Sequence, residues 1–204
     1  MGKEKYENAY SKDKAFFGKK PSLLIYNHLC LFPKNVSFLD LGCGQGNDLL
    51  FMNKLGYKCL GVDSSSIAIE QLRKKIKQKS LKDIKLGHID ISEFNFLEKS
   101  YDIINLRNVL QYLEKDNSQK MIKKVQKYVK KNGFIVISAL TIEDPSYLTK
   151  TKGFKSYFDK NELLRYFATK FNIAYYFEGP IQDKGHGDYP PHEHGMAMLI
   201  AQKK

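Results

Sequence analysis

Residues 36–46 read V-S-F-L-D-L-G-C-G-Q-G, the most informative pattern in the chain. The apolar run over residues 36–41 is typical of a buried strand, and it breaks into three glycines at alternate positions. Asn47 then opens a segment with the apolar spacing of an amphipathic helix. The apolar positions of that segment are Leu49, Leu50, Met52 and Leu55. Strand, glycine turn and helix together predict a nucleotide-binding unit.

The spacing of the glycines indicates which ligand this unit takes. Gly42, Gly44 and Gly46 form G-x-G-x-G, whereas the dinucleotide fingerprint is G-x-G-x-x-G. Asp40, two residues before the first glycine, places a negative charge where a phosphate would be repelled and a cation attracted. S-adenosylmethionine carries a sulfonium and an ammonium group and meets this requirement. We therefore assign Asp40 and the three glycines to its binding.

The composition is that of a globular chain. Its 204 residues, 42% of them hydrophobic, are enough for one domain with a core that needs no disulfides or metals. The three cysteines lack the spacing of a disulfide framework, and no apolar signal region follows the polar first ten residues. No apolar run approaches the roughly 20 residues that span a bilayer. These features predict a cytoplasmic protein without a membrane partner.

The formal net charge of +12 raises the question of a nucleic-acid partner. Many lysines, however, alternate with apolar residues over residues 69–79 and 121–130. That pattern is typical of the solvated faces of amphipathic helices. RNA therefore remains an alternative partner, ranked behind a small molecule.

An acidic residue ends the second predicted strand. Residues 57–62 are strand-like and are followed by Asp63, 23 positions after Asp40. A carboxylate at this place can accept hydrogen bonds from ribose hydroxyls, and we assign Asp63 and the adjacent Ser64 to the cofactor site. The alternative is that Asp63 caps the next helix, although the three serines that follow it would serve equally well.

The rest of the chain alternates between strand-like and helix-like segments and closes with two strands. We predict strands over residues 84–91, 101–106, 134–140, 172–177 and 196–202, and a helix over residues 117–131 that Gly133 caps. This order predicts an α/β fold with a doubly wound sheet of seven strands, the last of them antiparallel.

The residues D-L-G-C-G-Q-G resemble motif I of the class I S-adenosylmethionine-dependent methyltransferases. The N-terminal arm, F-D-K-N-E-L-L-R-Y-F at residues 158–167 and M-L-I-A-Q-K-K at residues 198–204 resemble the tellurite-resistance branch of that family. The resemblance implies a Rossmann-like sheet of order 3-2-1-4-5-7-6 with helices on both faces. It also implies a single domain over residues 1–204, in which residues 1–33 form a lid and residues 34–204 the catalytic core.

The resemblance also implies roles for single residues. Tyr10 of the arm would contact the methionine end of the cofactor, Asp90 would bind the adenine amino group, and Ile91 would pack on the adenine ring. Asn105 and Leu106, with Arg107 after them, would line the site near the transferable methyl group. The sequence N-L-R-N at residues 105–108 is not the N-P-P-Y of enzymes that methylate DNA bases, so no DNA partner is expected.

Residues 178–195 hold three of the five histidines, His186, His192 and His194. In the predicted topology this segment joins the last two strands at the edge of the sheet where the cofactor binds. Three interpretations remain open: a zinc or iron site, substrate handling together with Lys184, or a polar turn. The oxygen donors available to a metal are Asp183, Asp188 and Glu193. We assign the three histidines and Lys184 to the handling of the acceptor and assert no metal.

These predictions amount to a methyltransferase that uses S-adenosylmethionine in a direct in-line transfer. The acceptor is a small molecule, with a chalcogen oxyanion, a thiol and another small metabolite left open. Two alternatives stand beside it: an RNA methyltransferase that uses the basic surface, and a module that binds cofactor or metal without catalysis.

Overall fold

The computed structural model describes residues 2–97, 101–149, 153–187 and 189–204. Asp188, one of the oxygen donors considered above, lies outside the described residues. The chain divides into two compact units, Met1–Phe96 and Leu97–Lys204. The prediction of a single domain with a lid stays a prediction.

The first unit contains the glycine turn. Its elements are α1 (Gly2–Lys12), α2 (Leu23–Asn27), a 3-10 turn (Leu29–Leu31), β1 (Ser37–Leu41), α3 (Asn47–Lys54), β2 (Lys58–Asp63), α4 (Ser66–Gln78) and β3 (Ile84–His88). The three strands pair in parallel, with Asp40 opposite Gly61 and Asp63 opposite His88. The carboxyl ends of β1 and β2 therefore lie side by side.

The helices of this unit pack closely on the strands. Leu39 and Leu41 of β1, Leu49 of α3 and Leu72 of α4 are fully buried. At Gly61 a Cβ atom would lie 2.9 Å from Leu49 Cδ2 and 3.0 Å from Cys43 Sγ. Glycine at this position lets α3 approach β2, because a larger residue would force the helix away.

The second unit holds the histidine-rich segment. Its elements are β4 (Tyr101–Arg107), a 3-10 turn (Leu110–Tyr112), α5 (Lys115–Tyr128), β5 (Val129–Leu140), α6 (Pro145–Thr149), α7 (Glu162–Phe167), β6 (Phe171–Asp183) and β7 (His192–Lys203). Strands β4 and β5 are parallel, whereas β7 is antiparallel to both β5 and β6. Across the sheet the order is β3-β2-β1-β4-β5-β7-β6, which confirms the predicted order and the antiparallel last strand.

Two predicted boundaries are wrong at the helix that precedes β5. Helix α5 ends at Tyr128, with Val129 at its C-cap, so Gly133 is not the cap. The strand register jumps from Tyr101–Val129 to Ile103–Phe134, which leaves residues 130–133 as an insertion at the start of β5. The left-handed residue there is Asn132, at φ 61°. Glycine is needed at position 133 for a different reason. A Cβ atom added there would lie 2.7 Å from the carbonyl oxygen of Asp102, which is too close.

The other corrections concern strand length. β3 ends at His88 rather than at residue 91, whereas β6 and β7 are longer than predicted and pair as far as Asp183 and His192. The connection between β6 and β7 is therefore residues 184–191 rather than the whole of residues 178–195. In the part of the chain that the structure describes, no helix combines the length and apolar character needed to cross a membrane.

Candidate active site

The glycine turn between β1 and α3 depends on glycine at all three positions. Gly42, Gly44 and Gly46 have φ angles of 74°, 51° and 82°, a region that side chains disfavour. The amide of Gly42 donates to the carbonyl oxygen of Val62 at 2.8 Å, which ties the turn to β2. At Gly46 a Cβ atom would lie 2.5 Å from Leu72 Cδ1, so this glycine also lets α4 pack against the turn.

Asp63 joins this turn to the start of α4. Its Oδ2 atom accepts a hydrogen bond from the Gly44 amide at 2.7 Å, and its Oδ1 atom accepts one from the Ser65 amide at 2.8 Å. Burial raises the pKa of Asp63, and the two amide donors partly offset that effect. The N-cap of α4 is Ser65, whose hydroxyl accepts from the Ala68 amide. The capping role considered for Asp63 therefore belongs to Ser65.

Asp40 is buried at the end of β1 and influences two neighbouring thiols. Burial, together with the negative charges of Asp40 and Asp63, raises the pKa of Cys43 well above its ordinary value. Burial and Asp40 raise the pKa of Cys59 to about 12. The carboxyl ends of β1 and β2 are thus a region of negative potential, which favours a cation over an anion.

Tyr10 of the arm lies directly against the glycine turn. Its side chain is 6% exposed and packs with Phe16 in an edge-on contact, with ring centroids 6.3 Å apart. A Cβ atom on Gly44 would lie 3.0 Å from Tyr10 Oη. Burial raises the pKa of Tyr10 well above its ordinary value, and the charge of Asp63 adds to the increase. The structure therefore brings Tyr10, Gly44 and Asp63 together, and the predicted contact of Tyr10 with the cofactor stays a prediction.

Gln45, the residue between the last two glycines, holds the arm in place, and sequence reasoning missed it. Its side chain, on a residue only 5% exposed, accepts from the Phe16 amide at 3.0 Å and donates to the Asp13 carbonyl oxygen at 2.8 Å. It also donates to Gln71, whose amide donates to the Tyr10 carbonyl oxygen at 2.7 Å. The sequence signal for this role was a polar residue placed between two glycines.

Glu7 makes a second attachment of the arm, again unpredicted. Its carboxylate accepts from the amides of Ser66 at 2.8 Å and Ile67 at 3.3 Å, at the start of α4. Partial burial alone would raise the pKa of Glu7, but these donors hold it below its ordinary value. An acidic side chain at a helix N-terminus also interacts favourably with the helix dipole. The arm is thus fixed at both the glycine turn and α4.

The remaining predicted cofactor residues are placed but not tested by the structure. Asp90 lies two residues beyond β3 and accepts from the amide and hydroxyl of Ser92, as a turn aspartate does. Ile91 is buried, and so are Asn105 and Leu106 within β4. The carbonyl oxygen of Ser64 lies 3.0 Å from His88 Nε2. The cofactor roles of these five residues stay predictions.

In the second unit, His192 and His194 lie two positions apart at the start of β7 and share one face of the strand. Their Nε2 atoms are 2.9 Å apart. His192 Nδ1 lies 2.9 Å from the Pro190 carbonyl oxygen, and His194 Nδ1 lies 2.7 Å from Asp144 Oδ2. Both rings are therefore held in orientation from the Nδ1 side.

Asp144, which sequence reasoning missed, fixes His194 from the segment after β5. The residue is 1% exposed, and its Oδ1 atom accepts from both the amide and the hydroxyl of Ser146. Burial alone would raise the pKa of Asp144, but its donors His194 and Ser146 lower it. At Gly195 a Cβ atom would lie 2.4 Å from the Asp144 amide nitrogen, so only glycine allows this approach.

His186 and Asp183 complete the group on the β6 side. His186 Nδ1 lies 3.6 Å from Asp183 Oδ1, and the rings of His186 and His192 are 5.6 Å apart. Burial lowers the pKa of His186, while Asp183 acts in the opposite direction. We call Asp183, His186, His192 and His194 the histidine group. The structure therefore brings the three histidines together, and their predicted role stays a prediction.

Two other residues predicted for this region, Glu193 and Lys184, do not belong to the histidine group. Glu193 points to the other face of β7 and accepts from the Gln182 side chain at 2.7 Å, so it is not a member of the histidine group. Alternation of side chains along a strand explains this, because Glu193 lies between His192 and His194. Lys184 is exposed in the connection after β6, and its predicted role stays a prediction.

Comparison with known proteins supplies the family. The family model described as tellurite resistance protein TehB matches residues 9–182, which is most of the chain. The chain belongs to this family. The matched region contains the glycine turn, Asp63, Asp144 and most of β6, whereas His192 and His194 lie beyond its end.

Individual relatives agree with this assignment. A probable S-adenosyl-L-methionine-dependent methyltransferase TehB of Haemophilus influenzae is 29% identical over 164 residues, 78% of this chain and 55% of that protein. A carboxy-S-adenosyl-L-methionine synthase of Campylobacter jejuni is 29% identical over 146 residues, 71% of this chain and 60% of that protein. The chain thus spans a little over half the length of these curated relatives.

Solved structures show the same fold. The crystal structure of TehB from Haemophilus influenzae matches with a TM-score of 0.76 and 25% identity, over 89% of this chain and 61% of that one. The N-methyltransferase NodS from Bradyrhizobium japonicum, solved with S-adenosyl-L-homocysteine, matches with a TM-score of 0.71 and 15% identity, over 98% of this chain and 97% of that one. At this identity the likeness to NodS shows the fold alone.

Proposed function

We propose that this chain transfers a methyl group from S-adenosylmethionine to a small-molecule acceptor. The observation that carries the proposal is the glycine turn whose Gly44 amide is bound by the Asp63 carboxylate at 2.7 Å, in a chain of the TehB family. The relatives named above as acting with or on S-adenosylmethionine support the choice of cofactor.

The residues at the turn fit the chemistry of this cofactor. Asp63 uses one lone pair on each oxygen for the Gly44 and Ser65 amides, and a carboxylate has further lone pairs for ribose hydroxyls. The left-handed glycines leave the backbone free of Cβ atoms where a ligand would approach. The negative charges of Asp40 and Asp63 suit a ligand with a net positive charge.

When bound, S-adenosylmethionine supplies an activated methyl group on its sulfonium. The protein then contributes alignment and the exclusion of water, which together are worth up to about 7–11 kcal/mol in favourable cases. Tyr10 and the arm, fixed by Gln45, Gln71 and Glu7, are in place to cover the turn. We include residues 1–33 as the lid in this proposal.

The acceptor is proposed as a chalcogen oxyanion, a thiol or another small metabolite. We propose His186, His192, His194 and Lys184 as groups that hold it, because the three histidines lie together and the nearby ammonium group of Lys184 neutralises an anion. The histidine group is kept in order by the buried Asp144, and ordered donors lose less entropy on binding than mobile ones.

Calorimetry and turnover test the proposal on the whole chain. Titration with S-adenosylmethionine and S-adenosylhomocysteine measures cofactor affinity, and release of S-adenosylhomocysteine measures transfer to selenite, tellurite, thiols, small amines and RNA. Turnover with a small acceptor supports the proposal. Turnover with RNA alone, or cofactor binding without turnover on any acceptor, would favour the two alternatives, and absence of cofactor binding would overturn the proposal.

Asp63→Asn is the sharpest variant for the cofactor site. Loss of a charge-assisted hydrogen bond costs about 1.5–3 kcal/mol, so we expect cofactor affinity to fall by roughly 10- to 150-fold. Asp83→Asn is the matched control. It removes an exposed aspartate of the same unit at φ 59°, a conformation that asparagine also tolerates, and should leave the affinity unchanged. Equal affinities for the two variants would remove Asp63 from the site.

A further inference from the structure

Within the histidine group, the Nε2 atoms of His192 and His194 face each other at a distance that two neutral rings do not explain. The Pro190 carbonyl oxygen can only accept, so His192 Nδ1 carries a proton. Asp144 Oδ2 accepts from His194 Nδ1 in the same way, because the Oδ1 atom of this carboxylate already takes two donors from Ser146. In two neutral rings, both Nε2 atoms would then present lone pairs to each other at 2.9 Å. Such a contact needs a positive charge, either a proton or a metal ion.

Two further donors, Asp183 and His186, lie beside His192. One ligand atom each from Asp183, His186 and His192 lie within 4.8 Å of one another. Ligands of one tetrahedral ion at about 2.0–2.2 Å are about 3.4 Å apart, and those on opposite sides of an octahedral ion are about 4.2 Å apart. Atoms that are no more than 4.8 Å apart would therefore have to close by at most about 1.4 Å to share one tetrahedral ion.

The surroundings of the two rings also match those of metal-bound histidines. Histidines that bind a metal through one nitrogen usually donate the other N–H to a carboxylate or a backbone carbonyl, which orients the ring. His194 has the carboxylate of Asp144 in this position, and His192 has the Pro190 carbonyl oxygen. Gly195 admits the Asp144 backbone next to His194, so the support is built into the chain.

We propose that the histidine group binds one divalent transition-metal ion. The ligands are Asp183, His186 and His192, and His194, which lies outside that group of three but 2.9 Å from His192 through its Nε2 atom, moves in as the fourth. Asp144 and Pro190 are the outer partners of His194 and His192. Three imidazoles and one carboxylate suit a borderline ion such as Zn²⁺, whereas Ca²⁺ and Mg²⁺ prefer all-oxygen sites. This site is independent of the cofactor proposal, because it consists of residues of the second unit alone.

Zinc titration of the chelator-treated whole chain tests the proposal. We expect one Zn²⁺ per chain by calorimetry and, with Co²⁺, visible absorption typical of nitrogen and oxygen ligands. His192→Ala and His194→Ala should each weaken binding at least 100-fold, and the isosteric Asp144→Asn should weaken it about 10- to 100-fold, as outer-partner changes do. His28→Ala, a histidine of the first unit, is the matched control and should bind as the wild type does.

A measurement on the wild-type chain covers the case in which a variant fails to fold. Histidine ring nitrogens are resolved by NMR, and the chain has five histidines. Stoichiometric Zn²⁺ should shift the ring nitrogens of His186, His192 and His194 and leave His28 and His88 in place. The proposal would be overturned if Zn²⁺ shifted none of these signals or broadened all five histidines equally. It would also be overturned if the His192→Ala and His28→Ala proteins bound Zn²⁺ with equal affinity. A proton shared between the rings of His192 and His194 would then explain their contact. Because neither experiment involves S-adenosylmethionine, failure here leaves the cofactor proposal standing.

Discussion

At the scale of single residues, the three glycines of the turn have different structural roles, although all three have positive φ angles. Gly42 closes the turn, since its amide donates to Val62, and Gly46 makes room for Leu72. Gly44 is distinct because it faces Tyr10 Oη and its amide donates to Asp63. The middle glycine is therefore the one through which the arm and the cofactor residues meet.

Gly44→Ala tests this difference. A left-handed conformation costs a non-glycine residue about 1–2 kcal/mol, and the added methyl would also press on Tyr10 Oη at 3.0 Å. Gly18→Ala carries the same conformational cost at φ 74° but meets no atom within 4 Å. We expect both variants to lose about 1–2 kcal/mol in chemical denaturation, and Gly44→Ala alone to lose cofactor affinity. Equal affinities in the two variants would contradict the role given to the Gly44–Tyr10 contact.

At the scale of elements, the arm is an ordered part of the first unit. Three amide side chains bind its backbone from the turn and the helices: Gln45 and Gln71, described above, and Asn47, which donates to the carbonyl oxygens of Phe17 and Gly18. The Ser22 amide donates to Asp48 at 2.6 Å. The arm is thus fixed along residues 10–22 by hydrogen bonds to its backbone, and at Glu7 by its side chain.

Gln45→Ala should release the arm. The change removes three hydrogen bonds and leaves the buried Phe16 amide without its acceptor, which costs about 1–3 kcal/mol. Hydrogen exchange should then accelerate over residues 7–17, and cofactor affinity should fall. Asn53→Ala removes two side-chain bonds elsewhere in the same unit, to Tyr57 and Lys82. This control should destabilise the unit while hydrogen exchange in the arm stays slow. Faster exchange of the arm in both variants would contradict the role of Gln45 in holding the arm.

In the second unit, Lys115 and Glu162 connect α5 to α7. Lys115 Nζ lies 2.6 Å from Glu162 Oε2 and also donates to the Tyr157 carbonyl oxygen. Burial alone would raise the pKa of Glu162, but Lys115 and the Asp159 amide hold it below its ordinary value. A carboxylate with a lowered folded-state pKa stabilises the fold above its unfolded pKa, and the stabilisation is lost as the pH falls through the folded value.

Glu162→Gln should therefore be destabilising at neutral pH but not in acid. We expect a loss of about 1–3 kcal/mol in the free energy of unfolding at pH 7, because a charged hydrogen bond is replaced by a neutral one. The difference from the wild type should shrink below about pH 4.5 as the wild-type carboxylate becomes protonated. Urea unfolding of both proteins over this pH range measures it. A difference independent of pH would mean that packing rather than charge explains the loss.

At the scale of the whole molecule, the sequence predicted the seven strands because apolar runs and glycine turns are local signals. The order of the strands came from the resemblance to the methyltransferase family. Sequence reasoning placed the end of β6 and the start of β7 wrongly, since the glycine, proline and histidine residues in 178–183 and 192–195 are typical of loops. Strand pairing continues there as far as Asp183 and His192, and only the partner strand supplies that information. Local composition is a poor guide to where a hairpin stops pairing.

In the candidate site, too, local patterns were predicted and contacts between residues distant in sequence were not. Asp40, Asp63 and the glycines belong to one short pattern and could be found, whereas Asp144 meets His194 across 50 positions of sequence. That contact depends on the close approach of backbone at Gly195, which has no periodic signal. Gln45 lies inside the recognised motif, but its partners Asp13 and Phe16 are about 30 residues away. Long-range polar contacts of this kind are visible only in the fold.

The central claim is that the glycine turn of this chain binds S-adenosylmethionine. Hydrogen exchange of the whole chain with and without saturating S-adenosylhomocysteine tests it most directly, because it reports where binding slows exchange. If S-adenosylhomocysteine binds at the turn, exchange should slow at residues 40–46 and 63–65 and in the arm around Tyr10. Binding without protection of the turn, or no change anywhere in the chain, would contradict it.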